Sequence, residues 1–408
     1  MKYHVINMAF AILLAISAGS CSKSETDGED IPFSPIELTG QTRSIVSGGN
    51  SFGYKLLKEA AGQEEGSFTF SPLSLTFTLA LMCESATEGE YFEQKVAEIM
   101  GFEGGTTEDI RHYCSTMARQ LPGLSEKVQF ATANAVVLDS DHEESKAVFK
   151  DIAETYYNTM VESMSFKDDR SAIVKLVNEW AATNTKGQIK GLIRPGDVIP
   201  GVDIIANALY FKGQWKYSFD KRNTTRQTFT GEDGKESKVD MMSMDPEQSS
   251  GIPYCENDIF QAVSLPYGNG AFVLTVYLPK PGHDIVDAAG YLAGEGTPTV
   301  SGGKVTELSL PRFSIKESNV GLLKYISESV GEDPSNPGGR IMDFGRDIHQ
   351  VSSIEVDESG TEAAAATIMQ FMSATAPKSF CADHPFIFTI IESSTGAVLL
   401  AGAFRGNE

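Results

Sequence analysis

Glu355-Val-Asp-Glu-Ser-Gly-Thr-Glu-Ala-Ala-Ala-Ala-Thr-Ile-Met-Gln-Phe-Met-Ser-Ala-Thr-Ala-Pro-Lys378 begins strand-like, at Ile354 to Val356, and Gly360 can serve it as a hinge. Beyond that glycine two readings compete. Alanine and glutamate favour helix, so Thr361 to Thr367 could form a short one. Read with period two, the same residues separate into two faces. One face holds Thr361, Ala363, Ala365, Thr367, Met369, Phe371 and Ser373. It carries no charge, starts small and ends larger. The other holds Glu362, Ala364, Ala366, Ile368, Gln370 and Met372. A strand with these faces can slide into a closed sheet, small face down, leaving Glu362 and Gln370 in water.

Around this stretch the chain changes character once. Apolar spacings of three and four predict helices over 50–62, 72–83, 92–100, 144–159 and 171–183, the last ending near Gly187. From about residue 202, β-rich runs dominate: Ile204–Phe211, Ala262–Leu265, Phe272–Leu278, Val305–Leu310, Phe386–Ile391 and Val398–Ala403. Most are apolar throughout, as strands buried on both faces are. One further helix is predicted near 318–330. The expected class is a mixed α+β fold, with residues 43–408 forming one large domain.

Composition excludes several functions. The 408 residues carry 33 basic and 55 acidic side chains, a net charge of −22. That field repels phosphate backbones, so nucleic acid is not an expected partner. No HExxH, GxGxxG or complete phosphate loop occurs, no GxSxG follows a predicted strand as a nucleophile elbow must, and the six histidines are scattered, so neither an enzyme nor a metal or cofactor site is expected. Cys83, Cys114, Cys255 and Cys381 fit no zinc spacing. They allow three disulfide pairings, and Cys83 sits in an apolar run suited to a buried thiol.

The amino terminus reads as a targeting segment. Lys2, an apolar run over Val5–Ile16 and the small residues Ser17-Ala-Gly-Ser20 make a secretory signal over 1–20. Small residues before Cys21 resemble a bacterial lipobox, which implies lipidation of Cys21. The departure is Ala18, where a large aliphatic residue is usual, and the alternative is a conventional signal with an incidental cysteine. Residues 21–42 form a tether, acidic over Ser22–Asp30, like the segment that sends some lipoproteins to the outer-membrane surface. A plain solvated linker is the alternative. Membrane contact would then run only through the lipid.

Seven stretches, the one after Gly360 among them, carry a family resemblance in order. They are Phe70-Ser-Pro-Leu-Ser74; Asn178-Glu-Trp180 with Thr185, Gly187 and Ile189; Asn207-Ala-Leu-Tyr-Phe-Lys-Gly213 with Trp215, Phe219 and Phe229; Leu265-Pro-Tyr267 with Leu278-Pro279; Leu310-Pro311 with Phe313; Gly360-Thr-Glu-Ala-Ala-Ala-Ala-Thr367; and Asp383-His-Pro-Phe386 with Gly402. Together they resemble an inhibitory serpin over roughly residues 43–408. The resemblance implies three β-sheets, about nine helices and an exposed reactive-centre loop near 357–378. It also implies suicide inhibition of a serine protease: the loop is cut, an acyl-enzyme forms, and the cut loop enters the main sheet as a new strand. Gly360, Thr361, Glu362, Ala363, Ala364, Ala365, Ala366 and Thr367 match the hinge. The usual spacing from the hinge glycine puts the scissile bond at Ala374–Thr375. An alanine there suits elastase-like or subtilisin-like proteases; a shift of one or two residues would put Met372 or Ser373 before the cut. Cysteine proteases are further possible targets, and a monomer is expected.

The departures bear on how the sheet opens. Ser67 stands where the family has Asn, Ser85-Ala-Thr-Glu88 replaces a glycine-rich turn, and Gly331 to Gln350 is shorter than usual. The resemblance implies a sheet-opening network in which Ser71, Ser74 and Asn207 meet a histidine ten residues before Gly360. That position is Gln350, with His349 one place earlier. Either the Gln350 amide joins the network, or a bulge brings His349 there. A non-inhibitory serpin serving as a surface binding protein is the alternative function; such members usually have charged or bulky hinge residues.

Overall fold

A computed structural model describes residues 32–85, 106–140, 146–300, 305–318, 320–322, 346–358 and 378–406. Helix α1 spans Gly40–Gln63, β1 Phe68–Phe70, α2 Pro72–Ser85 and α3 Thr107–Gln120. Strand β2 (Val128–Asp139), helix α4 (Lys146–Tyr157), strand β3 (Thr159–Met164), helix α5 (Arg170–Asn184) and strand β4 (Asp203–Gly213) come after them. Next are β5 (Thr225–Thr230), β6 (Glu236–Met244), α6 (Pro246–Ser249), β7 (Tyr254–Glu256), β8 (Phe260–Tyr267), β9 (Phe272–Pro279) and α7 (Ile285–Glu295). The last strands are β10 (Val305–Pro311), β11 (Phe313–Ser318), β12 (Arg346–Val356), β13 (Lys378–Cys381), β14 (Phe386–Glu392) and β15 (Val398–Phe404).

These strands form three sheets, ordered β1-β15-β14-β9-β8-β7, β13-β10-β6-β5 and β11-β12-β4-β2-β3. The mixed α+β class and the three sheets are as expected. Seven α-helices lie among the described residues, against the nine or so expected. The helix predicted over 92–100 and most of that over 318–330 fall outside those residues.

Tertiary packing sets several boundaries that local pattern did not. Helix α1 begins ten residues before the predicted start, capped by Thr39, whose hydroxyl accepts from the Thr42 N–H. Its glycines let α2 come close: a Cβ on Gly53 would lie 2.6 Å from the Pro72 Cβ. The folded body also reaches forward of residue 43, because Ile36 is 3% exposed and donates its N–H to Ser394 Oγ. Helix α2 is buried on every side over residues 72–81, Leu73, Leu75, Phe77, Leu79 and Leu81 alternating with the small polar Ser74, Thr76 and Thr78.

The five-stranded sheet is covered on both faces. One face joins the main core through Ile205, Leu209, Phe211, Ile354 and Val356. The other packs Ala135, Val137, Ile204, Ala206, Ala208 and Val351 against Ile173, Val177 and Ala181 of α5. Two-sided burial explains why β4 reads as an unbroken apolar run.

Candidate functional site

The centre of the five-stranded sheet is a seam. Strands β12 and β4 run parallel and pair directly, from Arg346 opposite Asp203 to Ile354 opposite Phe211, with no shift of register. Their outer neighbours are antiparallel to them: β11 beside β12, and β2 beside β4. Parallel neighbours of this kind are paired slightly less stably per residue than antiparallel ones.

Four of the sequence-predicted network residues meet the seam's inner face. Gln350 accepts the Ser71 N–H at Oε1 (2.7 Å) and donates from Nε2 to the Ser71 carbonyl (3.1 Å). Ser71 Oγ accepts the Ser74 N–H at 3.0 Å, at the start of α2. Asn207 lies opposite Gln350 in register but turns to β2, donating to the Ala133 carbonyl (3.2 Å) and to Asn134 Oδ1 (2.8 Å). Ser74 Oγ and Asn207 Oδ1 are buried without a hydrogen-bond partner. The regular register leaves no bulge, so Gln350 is the residue that reaches Ser71. His349 is paired with Ala206, buried, and directed to the α5 face.

The upper end of the seam is fastened by groups that sequence reasoning missed. Trp215 Nε1 donates to the Asp357 carbonyl at 2.8 Å, and its indole stacks on Tyr267 at 4.2 Å. A Cβ on Gly213 would collide with that tyrosine ring. Glu358, with its side chain 4% exposed, accepts from Thr224 Oγ1 (2.6 Å) and from Arg312 Nη2 (3.0 Å). Across the seam, Lys212 Nζ lies 3.1 Å from Glu355 Oε2. Where the chain re-enters the described residues, Lys378 Nζ bonds Glu256 Oε1 at 2.5 Å, and Lys280 lies 3.0 Å from Oε2. The two ammonium groups pull the Glu256 carboxyl down to about 2. Charged groups therefore pin both flanks of residues 359–377. No local pattern announces these contacts, since their partners lie tens to hundreds of residues apart.

The hinge from Gly360 to Thr367, the Ala374–Thr375 bond and Cys21 lie outside the described residues. Cys255 and Cys381 are free thiols, both raised in pKa chiefly by burial, and Cys114 is buried. Among the described residues, no group of three or more His, Cys, Asp or Glu side chains is placed to hold a metal ion. Nor is any helix there long and apolar enough to cross a membrane.

The family model described as Serpin (serine protease inhibitor) matches residues 47–331 and 340–406. The chain belongs to the serpin family. Serpin B6 of Macaca fascicularis is 30% identical over 383 residues, covering 88% of this serpin and 98% of the relative. Among solved structures, Serpin48 of the insect Tenebrio molitor superposes with a TM-score of 0.73 at 26% identity, covering 91% of this chain and all of its own. AtSerpin1 of Arabidopsis, solved in its native stressed conformation, gives a TM-score of 0.74 at 23% identity, covering 91% and 99%. At that identity the likeness is one of fold.

Proposed function

We propose that this serpin inhibits proteases by offering residues 359–377 as bait and, once cut, inserting the segment from Thr361 onward between β12 and β4. The observation that carries this reading is the direct parallel pairing of β12 with β4, with the hinge only a few residues beyond β12. A segment that turns back at Gly360 runs antiparallel to both neighbours. One parallel ladder is thereby exchanged for two antiparallel ones.

Pairing arithmetic supports the sequence pattern. If residues 357–360 make the turn, Thr361 falls opposite Val356 and Thr367 opposite Gln350. Extending the β12–β4 register then sets Thr361 between Val356 and Gly213, Ala363 between Ile354 and Phe211, and Ala365 between Ser352 and Leu209. These small residues meet the aromatic packing of Phe211, Trp215 and Tyr267. Glu362 falls on the other face, between Glu355 and Lys212. Each new strand residue gains roughly 0.5–1.5 kcal/mol from its hydrogen bond and loses roughly 1–2 kcal/mol of chain entropy. The margin comes from burying side chains such as Met369 and Phe371, at roughly 1.5–3 kcal/mol each.

In the proposed reaction the protease nucleophile attacks the Ala374 carbonyl, Thr375 leaves as a free amine, and the acyl-enzyme is carried along as the strand inserts. A single methyl side chain suits a small primary pocket, so elastase-like and subtilisin-like enzymes lead, with cysteine proteases as further candidates. Incubation with an elastase should give an SDS-stable complex, a cut after Ala374 and a strongly raised melting temperature of the cleaved chain. Cleavage with neither complex nor thermal gain refutes the proposal. Residues 1–20 and Cys21 further support export with a lipid anchor at the outer membrane, facing outward. Cys21→Ala should then release the protein to the soluble fraction.

A further inference from the structure

Lys212 and Glu355 stand one step beyond Phe211 and Ile354, the last paired residues of the β4–β12 register. Their charged atoms are 3.1 Å apart, and the side chains are 38% and 39% exposed. Partial burial alone lowers the pKa of the Lys212 ammonium, but the bond to Glu355, with the charges of Glu355 and Asp357, raises it above its ordinary value. The position of the pair gives it leverage. A strand entering from Gly360 parts the seam from this end, so Lys212 and Glu355 are among the first side chains to separate. Halfway down, Gln350 and Asn207 bond away from the seam, to Ser71 on one side and to Ala133 and Asn134 on the other. Arg312 and Glu358 lie at the same end, but Glu358 is buried and is screened much less by salt.

We infer that Lys212 and Glu355 form an ionic latch at the mouth of the β4–β12 seam, which makes the rate of seam opening depend on ionic strength. The inference rests on the insertion reading and concerns its regulation. An exposed pair of this kind holds the closed seam by up to about fivefold, equivalent to ~1 kcal/mol. Salt releases that hold, because the screening length falls from about 30 Å at 0.01 M to about 3 Å at 1 M.

The test is the annealing of a synthetic peptide copying residues 361–372 to the intact, uncleaved protein, monitored on native gels at those two salt concentrations. Wild type should anneal up to about fivefold faster at high salt. Glu355→Gln and Lys212→Gln should anneal fast at both concentrations, and the charge swap Lys212→Glu with Glu355→Lys should regain the wild-type slope. Glu355→Gln keeping the wild-type salt slope overturns the latch while leaving insertion intact. Wild type that anneals no peptide at either concentration, and gains no melting temperature when cleaved, overturns the insertion reading and the latch with it.

Discussion

Thr361→Arg tests the insertion reading at its most exposed point. Position 361 would be set between Val356 and Gly213, above the stacked Trp215 and Tyr267. Val356 and Tyr267 are 1% exposed and Trp215 is 4% exposed. Glu358, the buried carboxylate at this end, is already held by Arg312 and Thr224. An unpaired buried charge costs several kcal/mol even after relaxation. At one factor of ten per ~1.4 kcal/mol, a cost of about 3 kcal/mol slows insertion by roughly a hundredfold. Hydrolysis of the acyl-enzyme then overtakes insertion. The variant should leave the melting temperature of the uncleaved protein unchanged, while elastase converts it to cleaved product with little SDS-stable complex. Glu362→Arg supplies the control: the same charge one residue on would fall between Lys212 and Glu355, whose side chains are 38% and 39% exposed, and should be tolerated far better. If Thr361→Arg forms complex as well as wild type, or if the two variants behave alike, the two-faced strand is the wrong picture.

Thr367→Val keeps shape and removes a hydroxyl from the residue expected beside Asn207 Oδ1 and Ser74 Oγ, both buried and unpartnered. Calorimetry should find the uncleaved protein unchanged and the cleaved form less stable by about 1–3 kcal/mol. Gln350→Leu removes both bonds to the Ser71 backbone and should lower the stability of the uncleaved protein by about 1–3 kcal/mol in chemical denaturation; an unchanged midpoint contradicts a holding role for that amide. Ala374→Arg should move inhibition from elastase-like to trypsin-like enzymes, with mass spectrometry placing the cut after residue 374. The Glu256 carboxyl is held down at about 2, so its folded pKa lies below the unfolded value of about 4.3. Its anchoring of Lys378 is therefore complete above pH ~4.3 and is lost as pH falls towards 2. Hydrogen exchange at Lys378–Cys381 should rise over that window in wild type and be raised at all pH values in Glu256→Gln.

Much of the fold was legible because burial writes itself into runs. Strands β4, β9, β14 and β15 read correctly from apolar stretches, and α2, α4 and α5 from their spacing. Strand β2 did not, because Val-Gln-Phe-Ala-Thr-Ala-Asn-Ala mixes polar and small residues of weak strand propensity. It is a strand because β4 and β3 flank it. The early turns of α1 were hidden by Gly48 and Gly49, which disfavour helix locally; a Cβ on Gly49 would lie 3.0 Å from Thr76 Oγ1 of α2. Helices α3 and α7 carry capping boxes at Thr106 with Asp109 and at Asp284 with Asp287, a signal that was present and unused. At the site, the contact between Gln350 and Ser71 was foreshadowed by the resemblance. The grip of Trp215 on the Asp357 carbonyl was not, because a backbone acceptor leaves no trace in side-chain identity.

On the proposed insertion the seam parts while several side-chain ties on either side of it stay in place. Strand β12 is tied to the start of α2 through Gln350 and Ser71, and to β1 through Ser352 Oγ, which donates to the Thr69 carbonyl at 2.8 Å. Strand β4 is tied to β2 through Asn207 and to the α5 face through Ile204, Ala206 and Ala208. The two blocks are joined by the parallel backbone ladder, by the Lys212–Glu355 pair and the Trp215 bond to the Asp357 carbonyl at the mouth, and by apolar packing that sets Val351 beside Ala206 and Ala208; on the proposed reading the entering strand replaces the ladder. The same geometry makes the entering segment intolerant: each inward side chain must fit beside residues already packed on both blocks. On the proposed reading the small, uncharged residues at 361, 363, 365 and 367 are then a requirement of insertion, and one misplaced charge among them should turn an inhibitor into a substrate.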